Sequence, residues 1–133
     1  MSDSAISVQL VTGPIGPSRP LLACDAGAVL LFEGIVRPTE NGEPLDALDY
    51  EAYEPLTTRE LQRLANRTLT DFGLIAMRVE HSVGCVAAGQ VSFRLIVAAA
   101  HRAEAIGAID RFINQMKQSI PLWKMPVYRL SND

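Results

Sequence analysis

The sequence predicts an α+β domain built on an antiparallel sheet with two main helices. Two stretches carry apolar residues at helical spacing, five others read as strands, and the strands come in groups rather than alternating singly with helices. At 133 residues the chain is expected to form one domain, residues 1–133, because a single core organises about 100 to 150 residues.

Residues 5–11 alternate in part and read as an edge strand, and the Gly/Pro-rich stretch 13–20 cannot continue it. Residues 27–36 contain the apolar run AVLLFEGIV, expected as a buried strand that Pro38 stops, with Arg37 at its end. Asn41-Gly42 marks a turn leading into LDALDYEAY, a half-exposed strand in which Leu48, Tyr50 and Ala52 alternate with polar neighbours. Pro55 suits a first helical turn. Leu61, Leu64, Ala65, Thr68, Leu69 and Phe72 then recur at helical spacing up to Gly73, giving a helix that covers a sheet face.

Residues 74–83 and 90–99 read as antiparallel strands joined by GCVAAG, whose glycines permit a reversal. From 101 to 119, Ile106, Ile109, Phe112, Ile113 and Met116 share one helical face, with Arg102, Glu104, Asp110 and Lys117 off it. Pro121 ends that helix.

Charge and composition narrow the function. A net charge of -3 argues against broad attraction to nucleic acid or anionic membrane, so any cationic site is local. No apolar run reaches the roughly 18 residues of a membrane span, and the N-terminus lacks signal-peptide character, so a cytoplasmic location is expected. Cys24 and Cys85 fit neither a disulfide framework nor a zinc site and read as small buried apolar residues. No phosphate loop, HExxH or metal-ligand spacing occurs, so neither metal nor cofactor is expected.

Arg37, His101, Arg102, Lys117 and Lys124 all fall at expected element ends, where scaffolds present side chains to ligands. His101 and Arg102 also open a helix, whose free N–H groups favour anions. Each alone is more often a solvated or locally bonded residue; together they suggest an anion-binding cleft. Glu33, Glu51 and Glu54 read as structural carboxylates rather than an acid–base pair.

Taken in order, GAVLLFEGIVR, an Asn-Gly loop, LDYEAY, a two-strand unit with a Gly-rich turn, AAAHRAEA and MKQSIPLWK resemble the large, catalytic subunit of molybdopterin synthase over residues 27–124. That resemblance implies an α/β hammerhead-type subunit that dimerises and, with its carrier, forms a heterotetramer. It also implies a pocket for the Gly-Gly tail of a small ubiquitin-like sulfur carrier, drawing on both subunits. The implied reaction is a sulfurtransferase one: the carrier's thiocarboxylate delivers sulfur to cyclic pyranopterin monophosphate, forming molybdopterin. Residue by residue, Lys117 and Lys124 are the implied catalytic lysines. Lys117 activates, or transiently accepts, the carrier's acyl group; Arg37, His101 and Arg102, with Lys124, hold phosphate. Self-association is also expected from few edge-blocking charges on LDYEAY and VSFRLIV.

The sequence departs from the family pattern at Ser82, where Arg usually follows His81; at Gln90, usually acidic; at Met125-Pro126, where a Glu and hence an acidic partner for the cations is usual; and in the short stretch after Lys124. These departures give the alternative reading, a non-catalytic paralogue that binds the carrier or pterin and modulates the active enzyme.

Overall fold

The computed structural model describes residues 5–21, 23 and 25–130; Cys24, and the expectation attached to it, lies outside them. In chain order the elements are β1 (Ile6–Thr12), β2 (Ala28–Ile35), β3 (Thr39–Glu40), β4 (Glu43–Ala52), α1 (Leu56–Phe72), β5 (Ala76–Ala87), β6 (Val91–Ala99), α2 (Arg102–Ser119) and β7 (Leu122–Tyr128). The strands pair in the order β2-β6-β5-β4-β3, with β1 added to β5 and β7 to β4. All ladders are antiparallel except β1 on β5. The expected α+β class with two main helices is the one found.

Alternation along the strands sorts the two sheet faces. Met77 and Val79 of β5 and Phe93, Leu95 and Val97 of β6 meet Leu61, Leu64 and Ala65 of α1 and Ala105, Ala108, Phe112 and Met116 of α2 in the main core. The intervening positions carry Arg78 and Arg94, both buried. Their guanidinium groups hold the Gly/Pro-rich connection after β1. Arg78 donates to the Arg19 and Pro20 carbonyls at 2.9 and 3.2 Å, and Arg94 donates to the Gly16 carbonyl at 2.6 Å. Glu33 and Glu80 neutralise Arg94 at 2.6 and 3.3 Å, the pairing a buried cation requires. Glu33 is thus structural, as expected, and so is Glu54, whose carboxylate accepts the Thr58 N–H at 2.8 Å.

Local signals held where they were specific. Asn41 and Gly42 take φ of 53° and 79°, the two left-handed residues of a tight hairpin between β3 and β4. Gly73 closes α1 at φ 62°, bonding back to Leu69 and Thr70 carbonyls.

Several expectations are corrected. The run in β2 is an edge strand rather than a buried one: it pairs only with β6 and leaves Val29, Leu31 and Ile35 about half exposed. Most of GCVAAG is strand, because Gly84 to Ala87 pair with β4 and the reversal falls at residues 88–90. Ile106 is exposed, and the small Ala105 and Ala108 take the buried side of α2, letting the helix lie close to the sheet. A further strand, β7, follows α2: Pro121 ends the helix and the chain then runs back along β4, a pairing that the sequence of this segment alone does not signal. The VSFRLIV and LDYEAY strands are internal to the sheet, so their edges are not free to recruit a second copy. Cys85 is exposed, not buried, since β5 turns that side outward where it pairs with β4.

Among the described residues, no helix is long and apolar enough to cross a membrane, and no group of three His, Cys, Asp or Glu side chains is placed to hold a metal ion.

Candidate active site

Between β4, β6 and the C-terminal end of α2, beside the part of β5 that carries His81, a cleft of about 650 Å³ opens. Arg37, Lys117 and Lys124 stand around it, and Glu40 is the one carboxylate lining it among the described residues. Arg37 lies just past Val36 in the link between β2 and β3, Lys117 occupies the last turn of α2, and Lys124 lies within β7 rather than at an element end. A cation in the last turn also meets the negative end of the helix dipole, which suits Lys117.

The junction between α2 and β7 is fixed by α1. The buried Thr57 hydroxyl donates to the Pro121 carbonyl at 2.7 Å, while the same oxygen accepts the Tyr53 N–H at 2.8 Å. This pins the segment between the two lysines, so that both face one cleft. Neither Lys117 nor Arg37 has a carboxylate partner among the described residues. Lys124 has one: its ammonium is 3.8 Å from Glu40. The expectation that Met125-Pro126 deprives the cations of an acidic neighbour is therefore corrected, because the β3–β4 hairpin supplies it from elsewhere in the chain.

The other two predicted residues are elsewhere. His101 caps and Arg102 begins α2, and at 1.5 Å rise per residue His101 lies roughly 24 Å along the axis from Lys117. Both are exposed, and the Glu104 carboxylate accepts the His101 N–H at 3.1 Å. Within one chain they do not reach the cleft.

Besides Glu40, three polar residues of the cleft are not among the candidates: Tyr50, His81 and Ser92. The Tyr50 hydroxyl donates to Ser92 Oγ at 3.0 Å. Burial raises the Tyr50 pKa, with Glu40 adding to the rise and the Ser92 bond opposing it, so the phenol stays neutral. His81 is 6% exposed, set edge-on to Tyr50 at 5.1 Å and beside Phe93 at 5.7 Å. Burial lowers its pKa from 6.5, the backbone bond to Ser82 opposing the change. His81 stood in the sequence as part of a strand, and the signal that could have singled it out is an imidazole breaking an alternating apolar run.

Two further departures from the family pattern, Ser82 and Gln90, have local partners. Ser82 is buried and donates to the Gly13 carbonyl at 2.6 Å, and Gln90 Oε1 accepts the Ala87 N–H at 3.1 Å inside the turn.

Comparison with known proteins gives a consistent picture. The family model described as MoaE protein matches residues 8–119. A molybdopterin synthase catalytic subunit from Ajellomyces capsulatus is 32% identical over 126 residues, covering 92% of this chain and 62% of the relative. The molybdopterin synthase structure from Staphylococcus aureus superposes with a TM-score of 0.80 at 25% identity, over 93% of this chain and 90% of that one. The complex of subunits 1 and 2 of the molybdopterin-converting factor from Helicobacter pylori shares the fold, with a TM-score of 0.70 at 23% identity, over 94% of this chain and 86% of that one. The chain spans 62%, 54% and 53% of the lengths of three curated relatives.

Proposed function

Because the chain belongs to the MoaE protein family, we propose that it is the catalytic subunit of a molybdopterin synthase, transferring sulfur from a thiocarboxylated carrier to cyclic pyranopterin monophosphate. One observation carries the reading most directly: three cations surround a single open cleft that holds one carboxylate. A cyclic phosphate and a thiocarboxylate are both anions, and such a surplus of positive charge draws them in and stabilises charge that develops during transfer.

In this reading Lys117, which lines the cleft and has no carboxylate partner among the described residues, polarises the acyl oxygen of the carrier's C-terminal group. Arg37 and Lys124 hold phosphate, the former through a fork that suits paired oxygens. Sulfur arrives on the carrier, so neither cysteine is required. The carrier in this reading is a small ubiquitin-like subunit with a Gly-Gly tail; the Helicobacter pylori protein of the same fold forms a complex of subunits 1 and 2. The chain acts as one domain in the cytoplasm, bound to neither nucleic acid nor membrane.

His101 and Arg102 complete a cleft in a second copy of the chain, making a homodimer within a heterotetramer. The apolar residues left exposed on the β2 edge, Val29, Leu31 and Ile35, support self-association in place of the internal strands. The test is reconstitution from purified chain, thiocarboxylated carrier and substrate, with sedimentation to read the assembly.

A further inference from the structure

His81 is tied at one nitrogen and open at the other. Its Nδ1 lies 2.8 Å from the Ser82 carbonyl oxygen, which can only accept, so Nδ1 carries the proton and Nε2 carries the lone pair. Among the described residues the one buried side-chain nitrogen or oxygen without a partner is Arg111 Nε. His81 Nε2 has no partner among the described residues and yet is not such a buried orphan, so it is accessible, and it opens on the cleft that His81 lines. Tyr50 and Phe93 pack against the ring and fix its plane.

Sulfur transfer creates a need for such a group. Once the carrier's sulfur has bonded to a substrate carbon, carrier and substrate are joined as a thioester, and water must separate them. We propose that His81 is a catalytic residue of this step, its Nε2 taking the proton of the water that attacks the thioester. As the water oxygen bonds to the acyl carbon, an O–H bond breaks and Nε2–H forms. The acyl carbon–sulfur bond then breaks with its electron pair on sulfur, and the proton on Nε2 passes to the departing thiolate. The products are the carrier's carboxylic acid and the substrate thiol, and the imidazole is again neutral. This inference rests on the proposed synthase reading.

The surroundings keep the imidazole in its accepting form. Burial disfavours the imidazolium, and the charged and titratable groups sharing the cleft are Arg37 after β2, Glu40 of β3, Tyr50 of β4, Lys117 of α2 and Lys124 of β7. Three of these are cations, and the one carboxylate, Glu40, is engaged with Lys124. On the opposite side of β5 and β6, Arg78, Glu80 and Arg94 belong to the network around the connection after β1.

Two measurements test the assignment. In the ¹⁵N-labelled chain alone, the His81 ring is expected as the neutral Nδ1–H tautomer at pH 7; an imidazolium or an Nε2–H tautomer overturns the proposal whatever the activity. In the reconstituted synthase, single-turnover release of the carrier from the thioester is expected to slow about 100-fold or more in His81→Gln, the scale of general-base catalysis. The acid limb of the wild-type rate profile, which lies below pH 6.5, is expected to vanish with it. A folded His81→Gln that keeps both the rate and the acid limb overturns the proposal, as does His81→Asn behaving the same way. A wild-type chain that makes no product with an active carrier overturns the synthase reading itself and the step built on it, even if the tautomer is as expected.

Discussion

Lys124 stands directly across from Tyr50 in the ladder between β4 and β7, and its ammonium reaches to 3.8 Å from Glu40 on the neighbouring hairpin. A lysine that sequence alone leaves in a corner after Pro121 is thereby fixed on a strand. The Glu40 carboxylate holds it while leaving its side chain 56% exposed to a ligand.

Lys124→Ala is accordingly expected to weaken substrate binding as well as turnover. The loss in kcat/KM should be about 10- to 100-fold, the worth of one charge-assisted contact to phosphate. Steady-state kinetics with varied substrate checks it, and an unchanged KM would remove Lys124 from the phosphate site.

Lys117→Ala is expected to lower turnover by about 100- to 1,000-fold, as loss of a donor to a developing oxyanion does. Binding of the carrier, read by calorimetry, should stay near wild type because the residue is exposed and outside the apolar face of α2.

Much of this fold was legible because its punctuation is local. Gly73 ends a helix through a left-handed φ, and Asn41-Gly42 forces a tight hairpin, whatever lies far along the chain. The misreadings share a different cause, since each depended on a distant partner. Gly84 to Ala87 extend β5 only because β4 is there to pair with them, and β7 exists only along β4. The cleft was legible in part: Arg37, Lys117 and Lys124 converge, while His101 and Arg102 remain at the far end of α2. Tyr50, His81 and Ser92 belong to three strands, and no spacing within one segment announces their meeting.

The buried arginine in β6 should matter more for stability than any exposed pair. Arg94→Met leaves Glu33, Glu80 and the Gly16 carbonyl without their shared donor, and should cost about 3–5 kcal/mol in urea unfolding. Arg111→Met, which breaks the more exposed Asp71 pair between the helices, should cost about 1 kcal/mol or less from the charge pair, besides any lost packing on Phe72.

Stability should also depend on pH through His81. Its folded pKa is depressed by burial, so above about pH 6.5 the ring is neutral in both states and contributes no slope. As pH falls below that value the unfolded chain binds a proton that the native chain refuses. Stability then falls until the depressed folded pKa is reached, with a limiting slope of about 1.4 kcal/mol per pH unit. Unfolding of wild type and His81→Gln between about pH 7.5 and 5 should show the steeper loss in wild type; parallel curves would remove the effect.

Exchange of Cys24 and Cys85 for Ala is expected to leave sulfur transfer intact. Cys85 is exposed on β5 and is not among the residues lining the cleft, and the transferred sulfur enters on the carrier. Loss of transfer in a folded double variant would assign a sulfur-carrying role to this chain.

The central claim is tested most directly by mixing the purified chain with thiocarboxylated carrier and cyclic pyranopterin monophosphate and measuring molybdopterin formed in a single turnover. Product from the wild-type chain, with little from a folded Lys117→Ala that still binds the carrier, is the predicted result. No product from wild type, or equal product from both, would contradict the account and favour a chain that binds the carrier or pterin without catalysing the transfer.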